Sequence, residues 1–153
     1  MPVLKSWLPV VVWMIVIFTL STSVGSAEIS GGLLEPVLHW VWPGIDPETI
    51  EWAHFIARKG CHLTEYAILA VLLWRAIEKP FLVKTHPFTL RMAALALCGA
   101  VLYASTDEYH QSWNATRTAS VKDVAIDSSG ALLGLIAIAA LQAWRRRKVI
   151  STP

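Results

Sequence analysis

Residues 59–77 read KGCHLTEYAILAVLLWRAI. The run from Ala67 to Trp74 is wholly apolar. Lys59, His62, Glu65 and Tyr66 crowd the segment before it, and Arg75 follows it. On a helix, His62 and Tyr66 stack on one face because they are four apart, with Glu65 beside them. Crossing a hydrocarbon layer of about 30 Å takes about 20 residues at a rise of about 1.5 Å each. The stretch therefore predicts a transmembrane helix over 58–77 whose ionisable groups gather towards one end.

Three further runs share this character. The first, WLPVVVWMIVIFTL from Trp7 to Leu20, extends through a weaker polar but uncharged tail and predicts a span over 7–27. A second reading of this segment stays open. Lys5, the apolar run and Gly25-Ser26-Ala27 also have the layout of a cleaved secretory signal. Two more spans are predicted over 89–111 and 121–144, the last closing on Arg145, Arg146, Arg147 and Lys148. Segment 28–57 carries Glu28, Glu35, Asp46, Glu48 and Glu51, and Pro36, Pro43 and Pro47 break it. It also holds Trp40 and Trp42, so it is expected to lie in the membrane interface, where tryptophan is at home. Asp46-Pro47 reads as a helix start, an acidic cap followed by proline at the first helical position, with that helix running on into the next span.

The resulting expectation is an all-α polytopic membrane protein, one domain over 1–153 with about four transmembrane helices. Composition agrees: charged residues are 16% and hydrophobic residues 55%, against roughly 25% and 45–50% in soluble domains. Mean hydropathy is +0.51. A net charge of +2 offers no footprint for nucleic acid. Cys61 and Cys98 are expected at different depths, hence reduced and packing.

Cations are unevenly placed. Arg75, Lys79, Lys84 and Arg91 surround the loop 78–91, four more follow Trp144, and Lys5 marks the N-terminus. Segment 28–59 sets five acids against Arg58 and Lys59. The positive-inside bias then puts both termini and loop 78–91 in the cytoplasm, with 28–58 and 112–120 outside.

Ionisable residues inside spans need a partner or a purpose. Besides Lys59, His62, Glu65 and Tyr66, span three ends in Asp107-Glu108-Tyr109-His110-Gln111. Span four opens with Lys122, Asp123 and Asp127, followed by Gly130 and Gly134 on the same stripe. Taking Lys79, Arg91 and Arg145 as one boundary, His62, Glu108 and Asp127 lie about 25–27 Å away. Three helices thus bring charge to one depth. Plainer roles exist for several of these residues. Asp123, three after Ser120, suits a capped helix start. Arg117 suits a solvated connector and His110 the interface. Gly130 and Gly134 suit close helix packing. Trp13, Trp74 and Trp144 suit anchoring or packing. Asp127 lies too deep for capping and is expected in a site. The expected polar cluster is Lys59, His62, Glu65, Tyr66, Asp107, Glu108, His110, Gln111, Arg117, Asp123 and Asp127, with Glu108 facing Arg117. His62, Glu108, His110 and Asp127 could in principle bind a divalent ion, but no His-xxx-His or Cys pair supplies two ligands on one helix, and no nucleophile elbow, phosphate loop or dinucleotide fingerprint occurs. No metal, no cofactor and no assigned catalytic residue are expected.

Read in order, Lys59-xx-His62-xxx-Tyr66-xx-Leu69, then Asp107-Glu108-x-His110-Gln111, then Arg117, then Asp123-xxx-Asp127-xx-Gly130-Ala131-xx-Gly134 resembles the VanZ-like family of membrane proteins. The resemblance covers about residues 55–135, and Phe18-Thr19-Leu20-Ser21 is similar in character. Asp127 stands where the family often has Asn, and the connector WNATR lacks the Pro-Gly usual before the family's arginine. The resemblance implies a multi-pass protein of the plasma membrane in the cell envelope, associated with low-level resistance to teicoplanin. The partners expected are membrane lipids, including a lipid-linked anionic or glycan-bearing ligand at the outer leaflet, which the protein binds or alters. Two alternatives remain. One is a membrane enzyme using His62 and the carboxylates for acid–base chemistry. The other is a transporter, although transporter sites lie nearer the midplane in broken helices.

Overall fold

A computed structural model describes residues 2–21, 32, 34–78, 89–112 and 120–150. Five helices follow one another: α1 (Pro2–Ser21), α2 (Glu35–Val41), α3 (Pro47–Glu78), α4 (Leu90–Gln111) and α5 (Val121–Ile150), and no strand occurs among the described residues. All but α2 are long and apolar enough to cross a membrane. The protein is all-helical, with four candidate spans.

Helix α3 begins at Pro47, where Asp46-Pro47 predicts it. Asp46 Oδ1 accepts from the Thr49 backbone N–H at 2.9 Å, and Asp46 Oδ2 accepts from the Thr49 hydroxyl at 2.7 Å. These two donors hold the exposed Asp46 carboxyl below its usual range. The cap satisfies an N–H that the first helical turn leaves without an intrahelical acceptor. At 32 residues α3 is about 48 Å long, so its first dozen residues overhang a ~30 Å hydrocarbon layer. Helix α2 buries none of its residues, and Trp40 and Val41 are exposed.

Helix α3 is the centre of the bundle, packing most extensively on α5 and also against α4 and α1. Glycine decides the α3–α5 contact. A Cβ built on Gly130 would lie 2.3 Å from the Leu63 carbonyl oxygen, and one on Gly134 would lie 2.4 Å from that of Ala67. Both pairs are one turn apart, so two backbones touch along a stripe. Apolar lipid offers no hydrophobic drive between helices, and such close approach supplies the van der Waals contact instead. Helix α4 presents Ala96, Ala100 and Ala104, all buried, at four-residue spacing.

Helix α1 is fastened by polar bonds. The Trp13 indole N–H donates to the Glu65 carbonyl at 2.9 Å, and the Tyr103 hydroxyl donates to the Met14 carbonyl at 2.6 Å. Trp74 is buried, whereas Trp144 is exposed beside Lys148. Both cysteines are free and exposed, so the expectation that they pack inside is corrected: they sit on the outside of the bundle. Leu8, Ile15, Leu102, Leu133 and Ile136 are exposed too. In water this much apolar surface would be a liability, and against lipid it is the ordinary outer face. Helices α4 and α5 also border an apolar groove of about 620 Å³ between Leu90, Leu97, Leu132 and Ala143.

Candidate functional site

Helices α1 and α4 end, and α5 starts, at the end of the bundle where α3 carries Lys59 to Tyr66. Three successive depths along α3 carry polar side chains there. At the first depth, Lys59 Nζ pairs with Asp123 Oδ1 in the opening turn of α5. One turn deeper, His62 Nδ1 stands 3.4 Å from Asp127 Oδ1. That is ion-pair distance without hydrogen-bond alignment, and neither atom has a hydrogen-bond partner. Another turn on, Tyr66 is fully buried, its ring centre 6.3 Å from that of Tyr103 and its hydroxyl unpartnered.

Helix α4 contributes two buried carboxylates with different partners. Asp107, 3% exposed, accepts from the Ser21 hydroxyl at 2.8 Å through Oδ1 and from the Gln111 amide at 3.0 Å through Oδ2. The Gln111 bond is the i,i+4 pair expected on a helix. Glu108, 4% exposed, accepts from the Ser120 backbone N–H at 3.1 Å. That bond ties the end of α4 to the start of α5 across the connector.

The charges form one field. His62 feels Asp127, Glu65 and Asp107, and Glu108 feels Asp123, Asp127 and Asp107. Among the described residues Glu65, Asp107, Glu108, Asp123 and Asp127 stand against Lys59 and His62. Nine of the expected residues therefore come together: Lys59, His62, Glu65, Tyr66, Asp107, Glu108, Gln111, Asp123 and Asp127. His110 is exposed and packs against Phe18, with ring centres 4.7 Å apart and planes tilted by 46°. Arg117 lies outside the described residues, and with it the expected pairing to Glu108. Among the described residues no group of three or more His, Cys, Asp or Glu is placed to hold a metal ion.

A model of the VanZ/LLP1 family matches residues 6–142. The chain belongs to the VanZ/LLP1 family. No curated protein and no solved structure matches it significantly. The match takes in α1, so the family's unit in this chain includes the helix that delivers Ser21 to Asp107. Ser21 and Ser120 are the site residues that sequence reasoning about this VanZ/LLP1 chain missed. Ser21 closes a span whose end resembles the family, which was the available signal. Ser120 acts through its backbone, for which residue type gives none.

Proposed function

We propose that this VanZ/LLP1 chain works in the plasma membrane of the cell envelope, binding or altering an outer-leaflet lipid or lipid-linked glycan. In doing so it lowers susceptibility to lipoglycopeptides of the teicoplanin type. The observation that carries the reading is Asp127, 1% exposed, facing His62 within a helix pair and holding no hydrogen-bond donor. A charge at the bilayer centre costs about 2.5–3.5 kcal/mol on insertion scales and less towards the boundary, so a buried carboxylate inside a span marks function by default. The groove between α4 and α5 is apolar, but Leu90 and Ala143 put it towards the end of the bundle opposite the polar layer, so it is not part of this reading. A polar layer set among helices with exposed apolar outer faces suits a lipid headgroup better than a soluble ligand. Resistance would follow from reduced access of a drug that anchors by its own acyl chain.

The test is expression of wild type, Asp127→Asn and His62→Gln in a glycopeptide-sensitive host, with membrane levels measured alongside. Wild type is expected to raise the inhibitory concentration of teicoplanin more than that of a glycopeptide lacking an acyl tail. Both variants are expected to lose the effect at equal protein level. An unchanged host, or loss only in step with protein amount, overturns the reading.

One observation favours a second reading, a membrane enzyme. His62 turns Nδ1 towards a buried carboxylate, the relation by which a carboxylate orients an imidazole for proton transfer at its other nitrogen. Lipid extracts that differ in composition between wild type and His62→Gln would support it; identical extracts would sink it.

A further inference from the structure

Four buried side-chain atoms where α3 meets α5 have no hydrogen-bond partner among the described residues: His62 Nδ1, the Tyr66 hydroxyl and both Asp127 oxygens. Native interiors seldom leave such groups unsatisfied, and a carboxylate least of all. Their neighbours are not in this state. Asp107 takes donors from Ser21 and Gln111, Glu108 takes the Ser120 N–H, and Asp123 is held by Lys59. What remains short of hydrogen bonds is one patch: the His62–Asp127 pair, 3.4 Å apart but not aligned to bond, the second Asp127 oxygen and the Tyr66 hydroxyl.

We propose that Asp127, Tyr66 and His62 form a subsite for neighbouring sugar hydroxyls, the glycan head of a neutral glycolipid. The proposal rests on the lipid or glycan-lipid reading above and narrows it to one headgroup chemistry. Three properties select that chemistry. A phosphate accepts hydrogen bonds and is negative, so among the described residues it would meet the carboxylates of Asp127, Asp107, Glu108 and Glu65. Of the described cations in the cluster, Lys59 is already taken by Asp123. An ammonium group only donates, which satisfies Asp127 but leaves the Tyr66 O–H without an acceptor. A hydroxyl does both, and two adjacent hydroxyls match the two oxygens of one carboxylate. Lys59 and Asp123 lie on the same stripes, three and four residues before His62 and Asp127, with side chains 16% and 34% exposed. They close the subsite from the helix-start end, and a headgroup enters by parting them.

The experiment uses the full chain in nanodiscs of phosphatidylcholine alone or with added glucosyl diacylglycerol, phosphatidylethanolamine or phosphatidic acid. A fifth arm adds soluble methyl glucoside to phosphatidylcholine discs. Unfolding midpoints against additive fraction give apparent affinities. Glucosyl diacylglycerol is expected to protect the wild type selectively. Asp127→Asn is expected to weaken that protection about tenfold or more, the loss fitting a hydrogen bond to a charged group. Tyr66→Phe is expected to weaken it less while unfolding like wild type in phosphatidylcholine. If Asp127→Asn is itself unstable, Tyr66→Phe and the headgroup comparison carry the test.

Equal or better protection by phosphatidylethanolamine or phosphatidic acid overturns the proposal. So does protection that survives both substitutions. Equal midpoints in every disc would leave a buried water as the occupant and end it. Protection by methyl glucoside as strong as by the glycolipid would move the chemistry to a free sugar and overturn the lipid-linked form. Altered teicoplanin susceptibility without selective glycolipid protection would sink the subsite and leave the broader function standing. The reverse result would sink the drug reading and leave the subsite.

Discussion

Removing the Ser21 hydroxyl takes from Asp107 Oδ1 the donor it holds at 2.8 Å, in a position 3% exposed. Ser21→Ala should therefore destabilise the bundle by about 1–3 kcal/mol, read by denaturant titration in detergent micelles. Ser21→Thr should retain most of that. A double-mutant cycle with Asp107→Asn should return a coupling energy of about 0.5–3 kcal/mol; additive effects would show that the two side chains do not interact. At the other end of the scale of burial stands Asp46, whose carboxyl lies below its usual range because of Thr49. A lowered folded value means its capping contribution is complete above the ordinary Asp range and disappears as pH falls through the lower value. Exchange of the Thr49 amide, corrected for intrinsic rate, should lose protection on acidification in wild type and show no such transition in Asp46→Ala. Single residues were legible in unequal measure. Asp127 stood out because a carboxylate more than one turn into a span is too deep to cap. The pairing of Lys59 with Asp123 was hidden, since an inter-helix contact depends on how two helices rotate about their axes, which spacing within either one does not determine.

At the level of the helix, Gly130 and Gly134 carry the sharpest expectation. Alanine at either position would place a methyl 2.3–2.4 Å from a backbone carbonyl oxygen of α3. Backbone cannot rotate aside, so α3 and α5 must part. Overpacking of this kind costs about 1–3 kcal/mol or more. Gly99→Ala is the control: its methyl would meet only the far end of Leu73 at 3.4 Å, and should change little. Comparable unfolding midpoints for Gly99→Ala and Gly134→Ala would refute the contact. The helices themselves were legible, because lipid forces each span to satisfy its own backbone and so leaves long apolar runs as the signature. Asp46-Pro47 marked the start of α3 correctly for the same local reason, a cap needing no distant partner. The partner of the glycine stripe was not legible: Gly130 and Gly134 announce a close neighbour without saying that it is Leu63 and Ala67.

For the whole molecule, the charge bias of the sequence predicts cytoplasmic termini and a cytoplasmic loop 78–91, which would put the polar layer at the outer face. In a Cys61→Ser, Cys98→Ser background, an impermeant thiol reagent added outside should label Ser112→Cys and spare Thr85→Cys; the opposite pattern reverses the topology. The pairing of Lys59 with Asp123 also has a consequence in time. The two are 64 positions apart, so at about 5–20 residues per second the ribosome delivers the carboxylate some 3–13 s after the ammonium. A chain cut short before α5 never receives that carboxylate. The contact between α3 and α5 at this depth can therefore form only after α5 has been made.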